Sequence, residues 1–135
     1  MGDKAKILLV DDEADIRDIL RIALEQEGYE IYEAADGQEA LDQVKQLKPD
    51  LVVLDLMLPK VDGYKVCQLL KSDDQYKKIP VLLFTARGRA EEISLAMECG
   101  ANAYMAKPFE PKKLVAILGA LVNASKLAKR WERVE

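Results

Sequence analysis

Five residues of types that do chemistry stand at equivalent places in the chain, each at the end of a short apolar run. Asp11 and Asp12 follow Ile7-Leu-Leu-Val10, Asp55 ends Leu51-Val-Val-Leu54, Thr85 follows Val81-Leu-Leu-Phe84, and Lys107 follows Ala103-Tyr-Met-Ala106. Three carboxylates brought together repel, so a site made from them is unfavourable at neutral pH unless a cation occupies it or protons are taken up. Oxygen ligands with water to spare suit Mg2+, which takes one or two protein carboxylates together with phosphate oxygens. Beside such an ion a carboxylate can attack a phosphoryl group and become an aspartyl phosphate. The transfer needs in-line positioning and neutralisation of the equatorial oxygens, which a metal, an ammonium and a hydroxyl donor together supply. Asp55, Mg2+, Lys107 and Thr85 fill those roles. Each residue alone has an ordinary explanation as a cap, a strand residue or a surface charge. Their coincidence at the ends of separate apolar runs points to a site.

The runs that deliver these residues have the length of buried strands, and helical patterns separate them. Ile16, Ile19, Leu20, Ala23 and Leu24 repeat as a one-sided helix that Gly28 stops. Tyr29 to Ala34 alternates as a second strand, and Asp36-Gly-Gln-Glu39 reads as a capping box before the helix of Ala40, Leu41, Val44 and Leu47, which Pro49 ends. After Asp55, Pro59 to Gly63 turns the chain into a third helix with Val66, Leu69 and Leu70 inward, and a polar stretch from Lys71 to Lys78 leads to the next strand. Arg87-Gly88 reads as a hinge, Ile93, Ala96 and Met97 as a weakly apolar helix stopped by Gly100, and Pro111 as the opening of a last helix carrying Leu114, Ile117, Leu118 and Leu121. Five strands alternating with five helices predict parallel strands, right-handed crossovers and a three-layer α/β sandwich with helices on both faces. In such sheets the active crevice lies outside the carboxyl ends of the strands, where all five candidate residues fall.

Composition narrows the classes. At 135 residues the chain is one domain with a real core. There is no histidine, which removes His-based triads and most zinc sites, so any histidine in the chemistry comes from another molecule. The net charge of −4 carries no electrostatic footprint of a nucleic-acid binder, and Lys126, Lys129, Arg130 and Arg133 are interrupted by Glu132 as on a solvated helix face. No run is long enough to cross a bilayer and no signal peptide precedes the first strand, so a cytoplasmic protein without a membrane partner is expected. Cys67 and Cys99 lack metal-ligand spacing and read as small packing residues.

The stretches Ile7-Leu-Leu-Val-Asp-Asp-Glu13, Pro49-Asp-Leu-Val-Val-Leu-Asp-Leu-Met-Leu-Pro-Lys-Val-Asp-Gly63, Val81-Leu-Leu-Phe-Thr-Ala86 and Gly100-Ala-Asn-Ala-Tyr-Met-Ala-Lys-Pro-Phe109 together resemble the receiver domains of two-component response regulators, of the chemotaxis-regulator kind. The resemblance covers about Lys4 to Val122. It implies a flavodoxin-like sheet of order 2-1-3-4-5, with Asp55 as the acceptor of a phosphoryl group from a sensor histidine kinase or histidine phosphotransfer protein. It further implies that Asp12, Asp55 and the backbone carbonyl of Met57 ligate Mg2+, with Asp11 supporting the ion through water. Thr85 and Lys107 would hold phosphoryl oxygens, Tyr104 would follow Thr85 as a switch, and Lys107-Pro108 would be a cis peptide. The protein would be a signalling switch, with at most self-phosphorylation and slow self-dephosphorylation. Its fourth helix, fifth strand and fifth helix would form the face that binds a partner, an output domain or a second copy.

Two other readings are weaker. Haloacid dehalogenase-type phosphatases also place an Asp after a buried strand, but that chemistry usually wants a second acid two residues on, where Met57 stands, and no cap domain is visible. A receiver-like module that is never phosphorylated would not need the intact set of Asp11, Asp12, Asp55, Thr85 and Lys107. Met57 and Arg87, two residues after the acceptor and the threonine, would bear on the access of water to the phosphoryl group. Residues 1–122 form the expected receiver. Residues 123–135 would be a helical extension or the start of a linker, in which Leu127, Trp131 and Val134 share a face, with Trp131 as a possible anchor for a dimer or a partner.

Overall fold

In the computed structural model the backbone is described for residues 4–85, 90–107 and 109–134, and the side chains for the same residues except 85, 90–92 and 127–134. The elements alternate strictly: β1 (Lys6–Val10), α1 (Ala14–Glu25), β2 (Glu30–Ala34), α2 (Gly37–Leu47), β3 (Leu51–Asp55), α3 (Gly63–Ser72), β4 (Val81–Thr85), α4 (Ala90–Glu98), β5 (Ala103–Ala106) and α5 (Pro111–Val134). The strands form one parallel sheet in the order β2-β1-β3-β4-β5. The chain winds outward from β1 to β2, then returns past β1 to β3. The order therefore reverses between β1 and β3, which is where such sheets open a crevice.

Each strand sends alternate side chains to opposite faces, so the apolar runs feed two cores. Leu8, Val10, Val52, Leu54, Val81 and Leu83 pack toward Ala40, Val44, Val66, Leu70 and Ala96, which places α2, α3 and α4 on one face. Ile7, Leu9, Leu51, Val53, Leu82 and Phe84 pack toward Leu20, Leu24, Leu114, Leu118 and Val122 of α1 and α5 on the other. β3, buried along its whole length, is the central wall of both cores.

Three apolar residues expected to face inward do not. Ile19 is 54% exposed, Leu69 is 40% exposed and Met97 is 71% exposed. The sheet needs only the middle of each helical stripe, Leu20 and Leu24 in α1 or Val66, Cys67 and Leu70 in α3, and residues one step around the helix fall on the rim. The stretch from Lys71 to Lys78 is less polar in space than in sequence. Tyr76 joins the core, and Lys71 donates from Nζ to the carbonyls of Lys77 at 3.1 Å and Ile79 at 2.7 Å. Burial holds the Lys71 ammonium below its ordinary pKa.

The helix starts are locally specified. Asp36 caps α2 by accepting from the Glu39 N–H at 2.8 Å, while the Glu39 carboxylate accepts from the Ala35 N–H at 3.4 Å, one residue short of the standard box. Asp62 caps α3 through the Lys65 N–H at 2.8 Å, which makes the turn after β3 an organised helix entry. Among the described residues no helix is long and apolar enough to cross a membrane.

Candidate functional site

The sheet register assembles the site. Val10 pairs with Leu54, so Asp11 and Asp55, the next residues, emerge side by side at the reversal between β1 and β3. Asp55 pairs with Phe84, and Thr85 with Ala106, which carries Lys107 to the same edge. Asp11, Asp12 and Asp55 each offer a carboxylate oxygen, and these oxygens lie within 4.8 Å of one another.

Their environments differ. Asp11 is 1% exposed and satisfied on every side. Its Oδ1 accepts from the Glu13 N–H at 2.9 Å, its Oδ2 from Lys107 Nζ at 2.7 Å and its carbonyl from Arg17 Nη1 at 2.6 Å, while its own N–H donates to Ala34 at 3.2 Å. Asp55 is 8% exposed, and it accepts from the Met57 N–H at 3.1 Å and from Lys107 Nζ at 3.0 Å. Asp12 is the exposed member of the three. It lines an open cleft of about 600 Å3 together with Met57, Asp62 and Leu95.

Lys107 thus bridges the two buried carboxylates. Its ammonium also lies 5.8 Å from the centroid of the Phe84 ring, itself stacked on Phe109 at 4.9 Å, so an aromatic shelf helps to hold it. Burial is the main influence on Asp55 and raises its carboxyl above the ordinary value, with Asp11 adding to the rise. The Lys107 ammonium and the Met57 N–H oppose it without cancelling it. For Lys107, burial acts to lower the pKa, but the hydrogen bonds to Asp11 and Asp55 outweigh it and the net shift is upward.

Three carboxylates facing one ammonium leave two negative charges uncompensated, which matches a divalent cation in charge. The donors are all oxygen, and the open cleft that Asp12 lines leaves space for water, so the residues fit Mg2+. Gly63 closes the underside. Its N–H donates to the Leu56 carbonyl at 2.9 Å, and a Cβ there would collide with the carbonyl oxygen of Asp55, so only glycine lets α3 begin this close to the strand end.

The structure therefore brings together Asp11, Asp12, Asp55 and Lys107. Met57 is placed with its N–H on Asp55 and its side chain 68% exposed. Tyr104 on β5 is 44% exposed. The Thr85 backbone pairs in the sheet, but its side chain lies outside the described residues, as do Arg87, Pro108 and the side chains of Leu127, Trp131 and Val134. Reading the sequence did not single out Arg17 or the Phe84–Phe109 shelf. The aromatics offered a signal, since they flank the candidate Thr85 and Lys107, whereas nothing in its spacing marks Arg17.

Comparison with known proteins gives the family and the fold. Residues 7–119 match the family described as the response regulator receiver domain, and the chain belongs to that family. It is 44% identical over 123 residues to the alkaline phosphatase synthesis transcriptional regulatory protein PhoP of Bacillus subtilis, covering 91% of this chain and 50% of that one. The chemotaxis response regulator CheY4 of Vibrio cholerae superposes with a TM-score of 0.83 at 32% identity, over 88% of this chain and 99% of that one. NtrX of Brucella abortus superposes with a TM-score of 0.88 at 32% identity, over 98% of this chain but 30% of its own. The chain spans about half the length of the curated relatives it matches.

Proposed function

We propose that Asp55 is the phosphoacceptor of a two-component phosphorelay and that its phosphorylation switches the surface formed by α4, β5 and α5. The observation that carries this reading is the Lys107 bridge between Asp11 and Asp55 beside the exposed Asp12, a buried nucleophile with its charge partner already in place. A carboxylate oxygen of Asp55 forms the new bond to phosphorus as the bond from phosphorus to the histidine nitrogen of a kinase or phosphotransfer protein breaks. Asp12, Asp55 and the Met57 carbonyl would hold Mg2+, with Asp11 behind them through water. The ion would supply charge neutralisation of the phosphoryl oxygens. The Met57 N–H and the Lys107 ammonium orient the two Asp55 oxygens before transfer.

After transfer Lys107 pairs with a phosphoryl oxygen, and the Thr85 hydroxyl is drawn to another, with Tyr104 following. Moving such a switch from mostly off to mostly on takes about 5.5 kcal/mol of differential stabilisation. A few charge-assisted hydrogen bonds lie within that range. The switched face would engage a partner, an output domain or a second copy of the chain. Residues 1–122 would form the receiver and 123–135 the extension that leads from it. The chain acts as a signalling protein in the cytoplasm, with at most self-phosphorylation and slow self-dephosphorylation. DNA-binding regulators such as RpaA of Synechocystis are among its relatives, but at a net charge of −4 this chain contributes regulation rather than nucleic-acid contact.

Amide NMR with beryllofluoride and Mg2+ tests the switch. Shifts are expected at Asp55 and Lys107 and also at Met97, Tyr104 and Met105. Changes confined to the carboxylates would contradict it.

A further inference from the structure

Asp12 is the exposed member of the acidic cluster, and among the described residues its carboxylate has no hydrogen bond or ion pair. Its direction is therefore set by backbone. The peptide that joins Asp11 to Asp12 is planar, so fixing the Asp11 carbonyl fixes the plane from which the Asp12 side chain departs. That carbonyl accepts from Arg17 Nη1 at 2.6 Å, a short, charge-assisted bond.

Arg17 is itself held. Its side chain is 18% exposed, and its Nε donates to Glu33 Oε1 at 3.0 Å. Glu33 sits on β2 in register with Leu9 of β1, and its second oxygen accepts from Arg21 Nη1 at 3.0 Å. The Glu33 backbone carbonyl is in turn held by the side-chain amide of Gln43 at 2.5 Å. A planar fork gripped on one edge by Glu33 and pressed by the other onto the Asp11 carbonyl cannot rotate freely, and a lysine ammonium could not hold both partners in that geometry.

We propose that Arg17 is a positioning residue for the acidic site, its guanidinium anchored on Glu33 and setting the Asp11–Asp12 peptide so that Asp12 faces a divalent cation. This rests on the Mg2+ reading of the cluster. Arg17 is also a positive charge near that cluster. Through its field alone it disfavours a cation, and through the peptide it favours one.

Mg2+ titration by calorimetry on the full chain separates the two effects, with Arg17→Met, Arg17→Lys, Glu33→Gln and Asp12→Asn compared to the parent and urea unfolding run on each. Arg17→Met removes a positive charge and Glu33→Gln a negative one, yet both are expected to weaken Mg2+ binding, by roughly tenfold for Arg17→Met as for outer-shell partners of metal ligands. Arg17→Lys should fall between Arg17→Met and the parent. Tighter binding in Arg17→Met with weaker binding in Glu33→Gln would mean a field effect only and would overturn the proposal. Unchanged affinity in both folded variants would overturn it as well, while loss of binding in Asp12→Asn would leave the metal site itself standing. A parent that binds no Mg2+ at millimolar concentration would remove the site reading and this inference together.

Discussion

Asp55 and Lys107 pull the local energetics in opposite directions. Burial raises the Asp55 carboxyl, so the folded state binds its proton more tightly than the unfolded chain does. The sign follows: the native state holds more protons across the window from the unfolded value near 4 up to the raised folded value, and stability falls as pH climbs through it. Asp55→Asn removes that cost. In metal-free buffer it should raise the thermal midpoint at neutral pH and lose the advantage at acid pH, where the parent is protonated. A midpoint lowered at neutral pH would contradict this. Lys107 has a raised pKa as well, so its pH slope has the same sign in a higher window, but its charged form contributes stability, which is fully present below about pH 10.4 and lost as pH rises through the folded value. Lys107→Met leaves Asp11 and Asp55 facing each other unpaired. It should cost roughly 2–3 kcal/mol in urea unfolding at neutral pH, somewhat below the range for a fully buried pair because the lysine keeps partial exposure.

The elements that hold these residues rely on two glycines at backbone contacts. A Cβ at Gly63 would meet the Asp55 carbonyl, and one at Gly37 would meet the Val61 carbonyl, where α2 seats on the turn after β3. Gly63→Ala and Gly37→Ala should each cost roughly 1–3 kcal/mol, toward the upper end because the obstruction is backbone. Gly119→Ala is the control of opposite sign. It lies inside α5 with only the Tyr29 hydroxyl at 3.7 Å from the new Cβ, and it should stabilise by about 0.5–1 kcal/mol. Urea midpoints of the three variants check both signs. Much of this scale was legible in the residues themselves. Apolar runs punctuated by Asp11, Asp55, Thr85 and Lys107 announce strands whose ends share an edge, because a parallel sheet leaves them nowhere else to go. The rim positions of Ile19, Leu69 and Met97 were not legible, since helical periodicity gives the direction of a stripe but not how much of it the sheet can cover. The grip of Arg17 on the Asp11 carbonyl was hidden for a related reason. Side chain to backbone contacts depend on how a helix is tilted against its strand, which no spacing encodes.

At the scale of the molecule, a doubly wound sheet turns four separated strand ends into one crevice, and the family match over residues 7–119 agrees with that reading. The expected receiver boundary after residue 122 falls inside α5, which runs without interruption from Pro111 to Val134. A continuous helix is a stiff connection, rising about 1.5 Å per residue, of the kind that transmits a change from the face proposed to switch. The proposed function rests on one covalent event at Asp55. The direct measurement is intact mass and peptide mapping after incubation with acetyl phosphate, with and without Mg2+, for the parent and Asp55→Asn. One phosphoryl group should appear on the peptide containing Asp55 only when Mg2+ is present, and none on the variant. Equal labelling of Asp55→Asn, or labelling of the parent that ignores Mg2+, would contradict the account.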